Sequence, residues 1–255
     1  MKVFINIEIK SEVKMFRDNR LGSLWLRRSK NIEQSFCTIM KRAILFVNGN
    51  LSDVSQAKKI ISKDDFLIAV DGGASHIKKL KLIPNIVIGD MDSISREQRF
   101  LFPTIKYPRK KDKTDFELAI DYCLKNKFQE IIIFGILGDR IDHMMANIFL
   151  IAKLQATSCK LRIKIIEGNK EIFVLNKEII IKGKIGDEIS IIPVSNKLER
   201  VTTEGLYYRL IDDTLEFGTT RGVSNVMKET LAKITVNNGI ALIIYLRKNR
   251  LNKNK

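Results

Sequence analysis

The chain has 255 residues, enough for one large domain or two smaller ones, and its hydrophobic and charged fractions of 45% and 29% are typical of globular proteins. No apolar run approaches the roughly 18 residues that span a bilayer, and the charged N-terminus is unlike a secretory signal. We therefore expect neither a membrane protein nor a secreted one. The three cysteines, Cys37, Cys123 and Cys159, are far apart. This usage favours a reducing compartment, and we predict a cytoplasmic location.

Much of the net charge of +16 lies at the two ends of the chain. Residues 1–39 hold eight Lys or Arg against four Asp or Glu, and the tail 247–255 adds five positive charges, which leaves +7 for the rest. No basic helix face with interleaved aromatics is present between them, so we expect no nucleic-acid partner. Residues 1–39 show no motif. They are either an extension of unknown role or the product of a misassigned start, because a strand pattern begins at Met40.

Between Met40 and about residue 160, apolar strand patterns alternate with helical patterns. Strands are predicted within 40–50, 66–74, 85–93 and the start of 130–154, and helices within 53–62, 75–82, 114–126 and the rest of 130–154. The helix at 114–126 begins with a capping box, with Thr114 at the N-cap and Glu117 three residues on. Continuous apolar strands that alternate with helices indicate a parallel sheet covered on both faces.

After about residue 160 the pattern changes to short β-runs separated by Gly, Asn and Asp turns. These runs predict an antiparallel β-sandwich. We therefore expect an α/β fold in two domains. A parallel-sheet domain over 40–160 is followed by a β-sandwich domain over 161–246 and a basic tail at 247–255.

The stretch VIGDMDS at 87–93 places Asp90 and Asp92 two residues apart after an apolar run. On an extended backbone the two carboxylates point to the same side, where they repel each other unless a cation or a proton lies between them. Asp and Ser are also good turn formers. A lone motif of this type is therefore more often a turn than a binding site.

Further aspartates follow other strands, at the edge where ligands bind in open parallel sheets. The four candidates for metal ligands and catalytic residues are Asp71, Asp90, Asp92 and Asp115. Each alone has a local explanation; Asp115, for example, lies where a helix dipole favours a carboxylate. Four carboxylates at one edge would destabilise each other unless they held hard divalent cations, so the set predicts a Mg²⁺ site.

Basic residues are predicted at the same edge of the sheet as these aspartates. They are Arg109, Lys110, Lys111 and Lys113 in one loop, and Arg140 at the start of a helix. Backbone N–H groups at a helix start also favour anions. A magnesium polyphosphate requires metal ligands on one side and Lys or Arg on the other. The residues alone thus favour transfer of a phosphoryl or pyrophosphoryl group from a nucleotide.

Four sequence blocks, in this order, resemble the motifs of the thiamine pyrophosphokinase family. They are VDGGASHIKKLKLIPNIVIGDMDSI at 70–94, DKTDFELAI at 112–120, GDRIDHMMANI at 138–148 and GLYYRLIDDTLEFGTTRGVSNVM at 205–227. The resemblance covers about residues 41–246. It implies a homodimer that binds thiamine between the α/β domain of one subunit and the β domain of the other. It also implies transfer of the terminal pyrophosphate of Mg-ATP to the thiamine hydroxyl, which gives thiamine diphosphate and AMP.

The resemblance also implies roles for individual residues. The four aspartates match the acidic metal and phosphate positions. Contacts to ATP are implied for Gly72, Lys113, Thr114, Gly138, Arg140, Asp142 and His143. Contacts to thiamine are implied for Tyr208, Ser224 and Asn225, with Tyr208 stacked on the ring. Either Asp92 or Asp115 is expected to orient or deprotonate the thiamine hydroxyl.

Two residues depart from the family pattern. Asp139 stands where a second glycine is common, and its charge is expected to weaken ATP binding. Arg221 adds a cation near the expected site of the positively charged thiamine. Two other interpretations stay open, namely a metal-dependent nucleotide-sugar transferase that uses the DxD motif and a decayed member that binds nucleotide or thiamine as a sensor. The first leaves the TRGVSN and GDRIDH blocks unexplained, and the intact aspartates argue against the second.

Overall fold

In the described part of the chain, six parallel strands alternate with four α-helices. The strands are β1 (Arg42–Phe46), β2 (Phe66–Val70), β3 (Ile86–Gly89), β4 (Thr104–Lys106), β5 (Glu130–Phe134) and β6 (Arg162–Glu167), and the helices are α1 (Val54–Ile60), α2 (Ala74–Lys79), α3 (Asp115–Lys125) and α4 (Ile141–Thr157). The strands lie in the order β4-β3-β2-β1-β5-β6. The α/β pattern predicted for this part is confirmed.

The computed structural model describes residues 41–90, 102–108, 110–138, 140–157 and 161–248. The residues of interest that lie outside these ranges are the extension 1–39, Cys37, Asp92, Arg109, Asp139 and Cys159. What the sequence predicts for them stays a prediction. Within the described ranges, no helix is long and apolar enough to cross a membrane.

The parallel sheet continues past residue 160 into an antiparallel part. Four strands follow β6 in this sheet, which has ten strands among the described residues: β7 (Lys170–Leu175), β14 (Ala241–Leu246), β9 (Glu188–Pro193) and β12 (Asn225–Val226). A second, antiparallel sheet has the order β11 (Asp213–Glu216), β10 (Lys197–Glu204), β13 (Leu231–Thr235) and β8 (Glu178–Lys182). The predicted fold class is confirmed. The domain boundary near residue 160 stays a prediction; the backbone pairing of β5 with β6 runs across it.

Three apolar clusters hold these layers together. Helices α1 and α2 cover one face of the parallel strands, where Phe46 is fully buried. Helices α3 and α4 cover the other face, with Ile133 in its core. Because both faces are covered, β1, β2 and β5 are buried from their second residue on, which explains their continuous apolar runs. The third cluster lies between the two sheets and joins Ile243 of β14 to Ile234 of β13.

Helix α3 begins where the sequence predicts. Thr114 Oγ1 accepts a hydrogen bond from the Glu117 backbone N–H at 3.2 Å, which confirms the N-cap. The Glu117 carboxylate lies 3.3 Å from Lys113 Nζ. The cap fixes the first turn of α3 and with it the position of Asp115.

Candidate active site

Two loops meet at the point where the strand order of the parallel sheet reverses. β1 lies between β2 and β5, so the loops that follow β1 and β5 leave the sheet side by side. The Gly49 N–H donates to the Gly135 carbonyl at 2.7 Å, and the Asn50 N–H donates to the Leu137 carbonyl at 2.7 Å. A Cβ on Gly49 would lie 2.4 Å from the Leu137 carbonyl oxygen, so only glycine allows this approach. Ligands bind at such switch points in open α/β sheets.

A cavity of about 670 Å³ opens at this switch point. Its walls are the two loops, the start of α3 with the loop before it, and the first turns of α4. The predicted site residues that line it are Asp71, Lys113, Thr114, Asp115, Gly138, Arg140 and His143. The structure therefore brings together residues that are up to 72 positions apart in the sequence. The volume is that of an ordinary small-molecule site.

Asp71 directly follows β2 and has a left-handed backbone, with φ of 47°. Aspartate tolerates this conformation better than most residues. The two glycines after it pack closely against their neighbours, and at Gly73 the neighbour is a backbone atom that requires glycine. A Cβ on Gly72 would lie 2.1 Å from Asn48 Oδ1, and one on Gly73 would lie 1.8 Å from the Phe46 carbonyl oxygen. Gly72 is thus a packing neighbour of Asn48 behind the cavity, and its predicted ATP contact stays a prediction.

The first half of the VIGDMDS motif lies next to Asp71. Gly89 ends β3, and a Cβ on it would lie 3.2 Å from the Asp71 Cα. The missing side chain therefore lets the ends of β2 and β3 come together. Asp90 follows and is partly buried, but it is not among the residues that line the cavity. Asp92 lies outside the described residues, so the predicted set of four metal ligands stays a prediction.

The carboxylates that line the cavity suit one Mg²⁺ ion held together with phosphates. Within the described ranges, no three His, Cys, Asp or Glu side chains are grouped closely enough to hold a metal ion by themselves. Asp71 and Asp115, however, line the same cavity. Magnesium is usually bound by one or two carboxylates plus substrate phosphates. This donor set therefore fits a magnesium nucleotide better than a metal caged by protein alone.

The two lysines of the loop before α3 have different partners. Lys111 Nζ lies 2.5 Å from Asp115 Oδ1 inside the cavity wall, with the Lys111 side chain only 15% exposed. Lys113 Nζ instead lies 2.5 Å from Asp121 Oδ2 on α3, and this hydrogen bond raises the pKa of Lys113. Lys113 lines the cavity, but its ammonium group is directed along the helix surface. The partly buried cation beside the predicted metal ligand is Lys111.

Arg140 and Asp142 form an exposed pair where α4 begins. Arg140 Nε lies 3.0 Å from Asp142 Oδ1, and Arg140 Nη2 lies 2.7 Å from Oδ2. The hydrogen bonds from Arg140 hold the pKa of Asp142 well below its usual range. Arg140 and His143 line the cavity, whereas Asp142 does not. The geometry therefore makes Asp142 a partner of Arg140, and its predicted contact to ATP stays a prediction.

The three residues predicted to contact thiamine lie together in the antiparallel part. Asn225 Oδ1 accepts a hydrogen bond from the Tyr208 N–H at 2.9 Å, and Asn225 Nδ2 donates to the Tyr208 carbonyl at 2.7 Å. This buried amide holds the turn at Tyr208, whose side chain is 70% exposed. Ser224 is adjacent and has a left-handed backbone with φ of 57°. None of the three is among the residues that line the cavity.

Arg221, which departs from the family pattern, has its charge paired with Asp213. Arg221 Nη1 and Nη2 lie 2.9 and 2.5 Å from the two carboxylate oxygens of Asp213. Bidentate pairs of this type fix the guanidinium plane. The side chain is therefore directed toward β11, and its positive charge is offset there.

Two models of one protein family match the chain. The catalytic domain of thiamin pyrophosphokinase matches residues 57–163, and the vitamin B1 binding domain of thiamin pyrophosphokinase matches residues 177–241. Together they cover more than half of the chain. The chain belongs to the thiamin pyrophosphokinase family. It is therefore an enzyme of the thiamine diphosphokinase class, as the sequence blocks predict.

Relatives and solved structures agree with the thiamin pyrophosphokinase assignment. A thiamine pyrophosphokinase of Bacillus subtilis is 31% identical over 182 residues, which cover 69% of this chain and 85% of that protein. The crystal structure of a thiamine pyrophosphokinase from Bacillus subtilis is similar with a TM-score of 0.74 at 26% identity, covering 82% of this chain and 100% of that one. A thiamin pyrophosphokinase from Geobacillus thermodenitrificans has the same fold, with a TM-score of 0.71 at 24% identity over 83% and 99% of the two chains.

Sequence reasoning missed several residues that line the cavity of this thiamin pyrophosphokinase family member. Asn48 and Asn50 come from the loop after β1, and Asn147 comes from α4. A signal for the first two existed, because Asn-Gly-Asn directly follows the first apolar strand at 48–50. Asn147 lies four residues after His143, one helical turn away on the same face. The strand order that makes these positions important is not visible in the sequence.

Proposed function

We propose that the protein is an ATP-dependent thiamine pyrophosphokinase that transfers the terminal pyrophosphate of Mg-ATP to thiamine and releases AMP. One observation supports this most. The cavity at the switch point is lined both by carboxylates, Asp71 and Asp115, and by cations, Lys111 and Arg140. To bind a magnesium polyphosphate, a site needs carboxylates for the metal and cations for the phosphates, close enough together to contact the same molecule. Family membership supplies thiamine as the acceptor.

In this proposal the aspartates hold the metal and the cations hold the phosphates. Asp71 and Asp115, together with Asp90 and the sequence-predicted Asp92, would bind Mg²⁺. The chemistry that the ion supplies when bound is neutralisation of charge on the phosphates. Lys111, Arg140 and the first N–H groups of α4 bind the phosphate oxygens, as expected at a helix start. Lys113, Thr114, Gly138 and His143 line the same space and complete the nucleotide site.

The reaction follows from the charges of these groups. The hydroxyl oxygen of thiamine forms a bond to the β-phosphorus of ATP. The bond from that phosphorus to the oxygen shared with the α-phosphorus breaks, and AMP leaves with both electrons. Lysine and arginine offset the negative charge that builds up on the phosphate oxygens, and positioning supplies much of the rate. The hydroxyl proton passes to a carboxylate, Asp92 or Asp115, or to solvent.

We further propose that the active enzyme is a homodimer with thiamine bound between subunits. Tyr208 and its neighbours lie away from the cavity of their own chain, so a second copy is needed to bring the two together. Two apolar surfaces suit this contact. Along α4, Ile141, Met145 and Phe149 are 64%, 47% and 48% exposed at helical spacing beside the cavity. In the antiparallel part, Tyr208 is 70% exposed and Phe217 is 64% exposed.

The product assay tests the reaction. The protein is incubated with Mg-ATP and thiamine, and nucleotides and thiamine esters are separated by chromatography. We expect thiamine diphosphate and AMP in equal amounts. ADP with thiamine monophosphate would contradict pyrophosphoryl transfer. A wild-type protein that binds thiamine but forms neither product would instead favour the sensor interpretation.

Mixed dimers test the proposed interface. D115N removes a metal ligand of the α/β part, and Y208A removes the proposed stacking ring of the β part. If each site uses both subunits, co-expression of the two weakly active variants yields some dimers with one intact site, up to about a quarter of wild-type activity in a random mixture. No recovery in a confirmed mixed dimer, or a monomer in solution that is fully active, would refute the shared site.

A further inference from the structure

A buried histidine and a buried glutamate lie directly behind one wall of the cavity, the segment 47–52, here called the 47–52 loop. His76 in α2 and Glu167 at the end of β6 are each 6% exposed. His76 Nε2 lies 2.8 Å from the carbonyl oxygen of Gly49. Glu167 Oε1 accepts a hydrogen bond from the Ser52 N–H at 2.8 Å. The loop is therefore held at two points from the side opposite the ligand.

The contact of His76 fixes its tautomer and reaches both loops of the switch point. Because a carbonyl oxygen only accepts, Nε2 carries the proton of the ring. Burial lowers the pKa of His76, which favours the neutral form. A Cβ on Gly135 would lie 3.3 Å from His76 Cδ2, so the ring also packs beneath the loop that follows β5.

Both side chains are costly to bury. In the described part of the chain, His76 Nδ1 and Glu167 Oε2 are buried and make no hydrogen bond. Buried polar atoms without partners lower stability, and an apolar side chain of similar size would avoid this cost. The side-chain hydrogen bond that each residue does make goes to the 47–52 loop. Exceptions of this kind to the rules of core packing are typical of functional sites.

The 47–52 loop offers side chains rather than backbone to a ligand. Four of its backbone N–H groups already donate to other parts of the protein. The amides of Asn48 and Asn50 line the cavity. Their positions follow from the backbone that His76 and Glu167 hold.

We propose that His76 and Glu167 are positioning residues for nucleotide binding, which hold the 47–52 loop so that the amides of Asn48 and Asn50 contact ATP. This inference rests on the proposed function, since it takes Mg-ATP as the ligand of the cavity. Both residues act through the loop and are buried behind it, so neither is a catalytic residue.

Calorimetric titration of the full chain with Mg-ATP, without thiamine, tests this role. We expect H76L and E167L to weaken binding about 10-fold or more, because each removes one hydrogen bond to the loop. H76Q keeps a donor near the Nε2 position and E167Q keeps the acceptor, so both should stay within about threefold of wild type. The KM for thiamine at saturating ATP should not change. Unchanged ATP affinity in folded H76L and E167L, or equal losses in the Gln and Leu variants, would overturn the proposal.

A double-mutant cycle separates positioning from a general loss of structure. If His76 acts through the loop, the double variant H76L/N50A should bind Mg-ATP only slightly more weakly than whichever single variant has the lower affinity. Fully additive losses would contradict the proposal. If the Leu variants do not fold, the ATP affinities of N48A and N50A test the proposal. Wild-type affinity in both variants would show that the loop makes no side-chain contact to ATP and would contradict the proposal. A wild-type protein that does not bind Mg-ATP would refute the proposed function itself.

Discussion

Lys111 Nζ lies 2.5 Å from Asp115 Oδ1, four residues further along the chain and inside the wall of the cavity. A cation and a carboxylate that are both needed for a magnesium polyphosphate are therefore paired with each other. In the proposed function, binding of Mg-ATP would exchange these partners, with the carboxylate on the metal and the ammonium group on a phosphate. The exchange keeps each charge partnered, which limits the cost of leaving a half-buried charge alone.

Removal of the Lys111 charge is predicted to weaken catalysis. K111M should lower kcat/KM for ATP about 10- to 100-fold, because a charge-assisted contact to phosphate is lost. The neighbouring Lys110 is exposed and does not line the cavity, so K110M is the matched control and should stay within about twofold. Steady-state kinetics at varied ATP measures both. Equal effects of the two changes would contradict a specific role for Lys111.

Loss of either carboxylate that lines the cavity is predicted to abolish most activity without unfolding the protein. D71N and D115N should each lower kcat by at least about 100-fold, since the metal loses an ionised ligand where negative charge builds up. E178Q removes a half-exposed carboxylate that pairs with Lys233 in the second sheet and should have no effect. AMP release and thermal unfolding are measured for all three. Activity above one tenth of wild type in both Asp variants would refute the metal site.

The loops that follow β1 and β5 lie so close together that a side chain at Gly49 is predicted to disrupt them. G49A places a Cβ 2.4 Å from a backbone oxygen, and we expect a loss of about 1–3 kcal/mol in the free energy of unfolding together with weaker ATP binding. G218A is the control, because its φ is 82° but nothing lies within 4 Å of the added Cβ. It should cost about 1–2 kcal/mol through backbone strain alone and leave ATP binding intact. Denaturant titration and calorimetry compare the two variants.

Asp213 is predicted to shield thiamine from the charge of Arg221. D213N should raise the KM for thiamine several-fold, since the freed guanidinium repels a cationic substrate, and the effect should shrink in high salt. R221Q alone should change little, and the double variant D213N/R221Q should restore the wild-type KM. A neutral thiamine isostere with a thiophene ring should not respond to D213N. A double variant as impaired as D213N would show that the charge of Arg221 is not the cause.

The thiol of Cys123 is predicted to be inert in the folded protein. It is fully buried in α3, and burial raises its pKa to about 12. Since the unfolded thiol ionises near 9, ionisation favours the unfolded chain as the pH rises from about 9 to about 12. Iodoacetamide at pH 8 followed by peptide mapping should modify Cys123 only after denaturant is added. Rapid labelling of native protein at this residue would contradict the burial.

The sequence alone was sufficient to predict the class of fold, and several residues that it placed at the carboxyl ends of the strands line the cavity. Strands covered on both faces need continuous apolar runs, so β1, β2 and β5 were recognisable, and the change to short β-runs near residue 160 marked the antiparallel part. The cap at Thr114 depends only on residues three apart, and it too was correctly predicted. Such features are local, and local periodicity encodes them directly.

Only the tertiary structure decided which side chains meet. The sequence places Lys113 two residues and Lys111 four residues before Asp115, but the more distant Lys111 pairs with Asp115 and Lys113 pairs with Asp121 on α3. The importance of Asn48 and His76 depends on β1 lying beside β5, a pairing between residues 88 positions apart. Strand order and close backbone packing depend on contacts between distant segments. Such contacts produce no periodic pattern in the sequence, so the sequence does not show them.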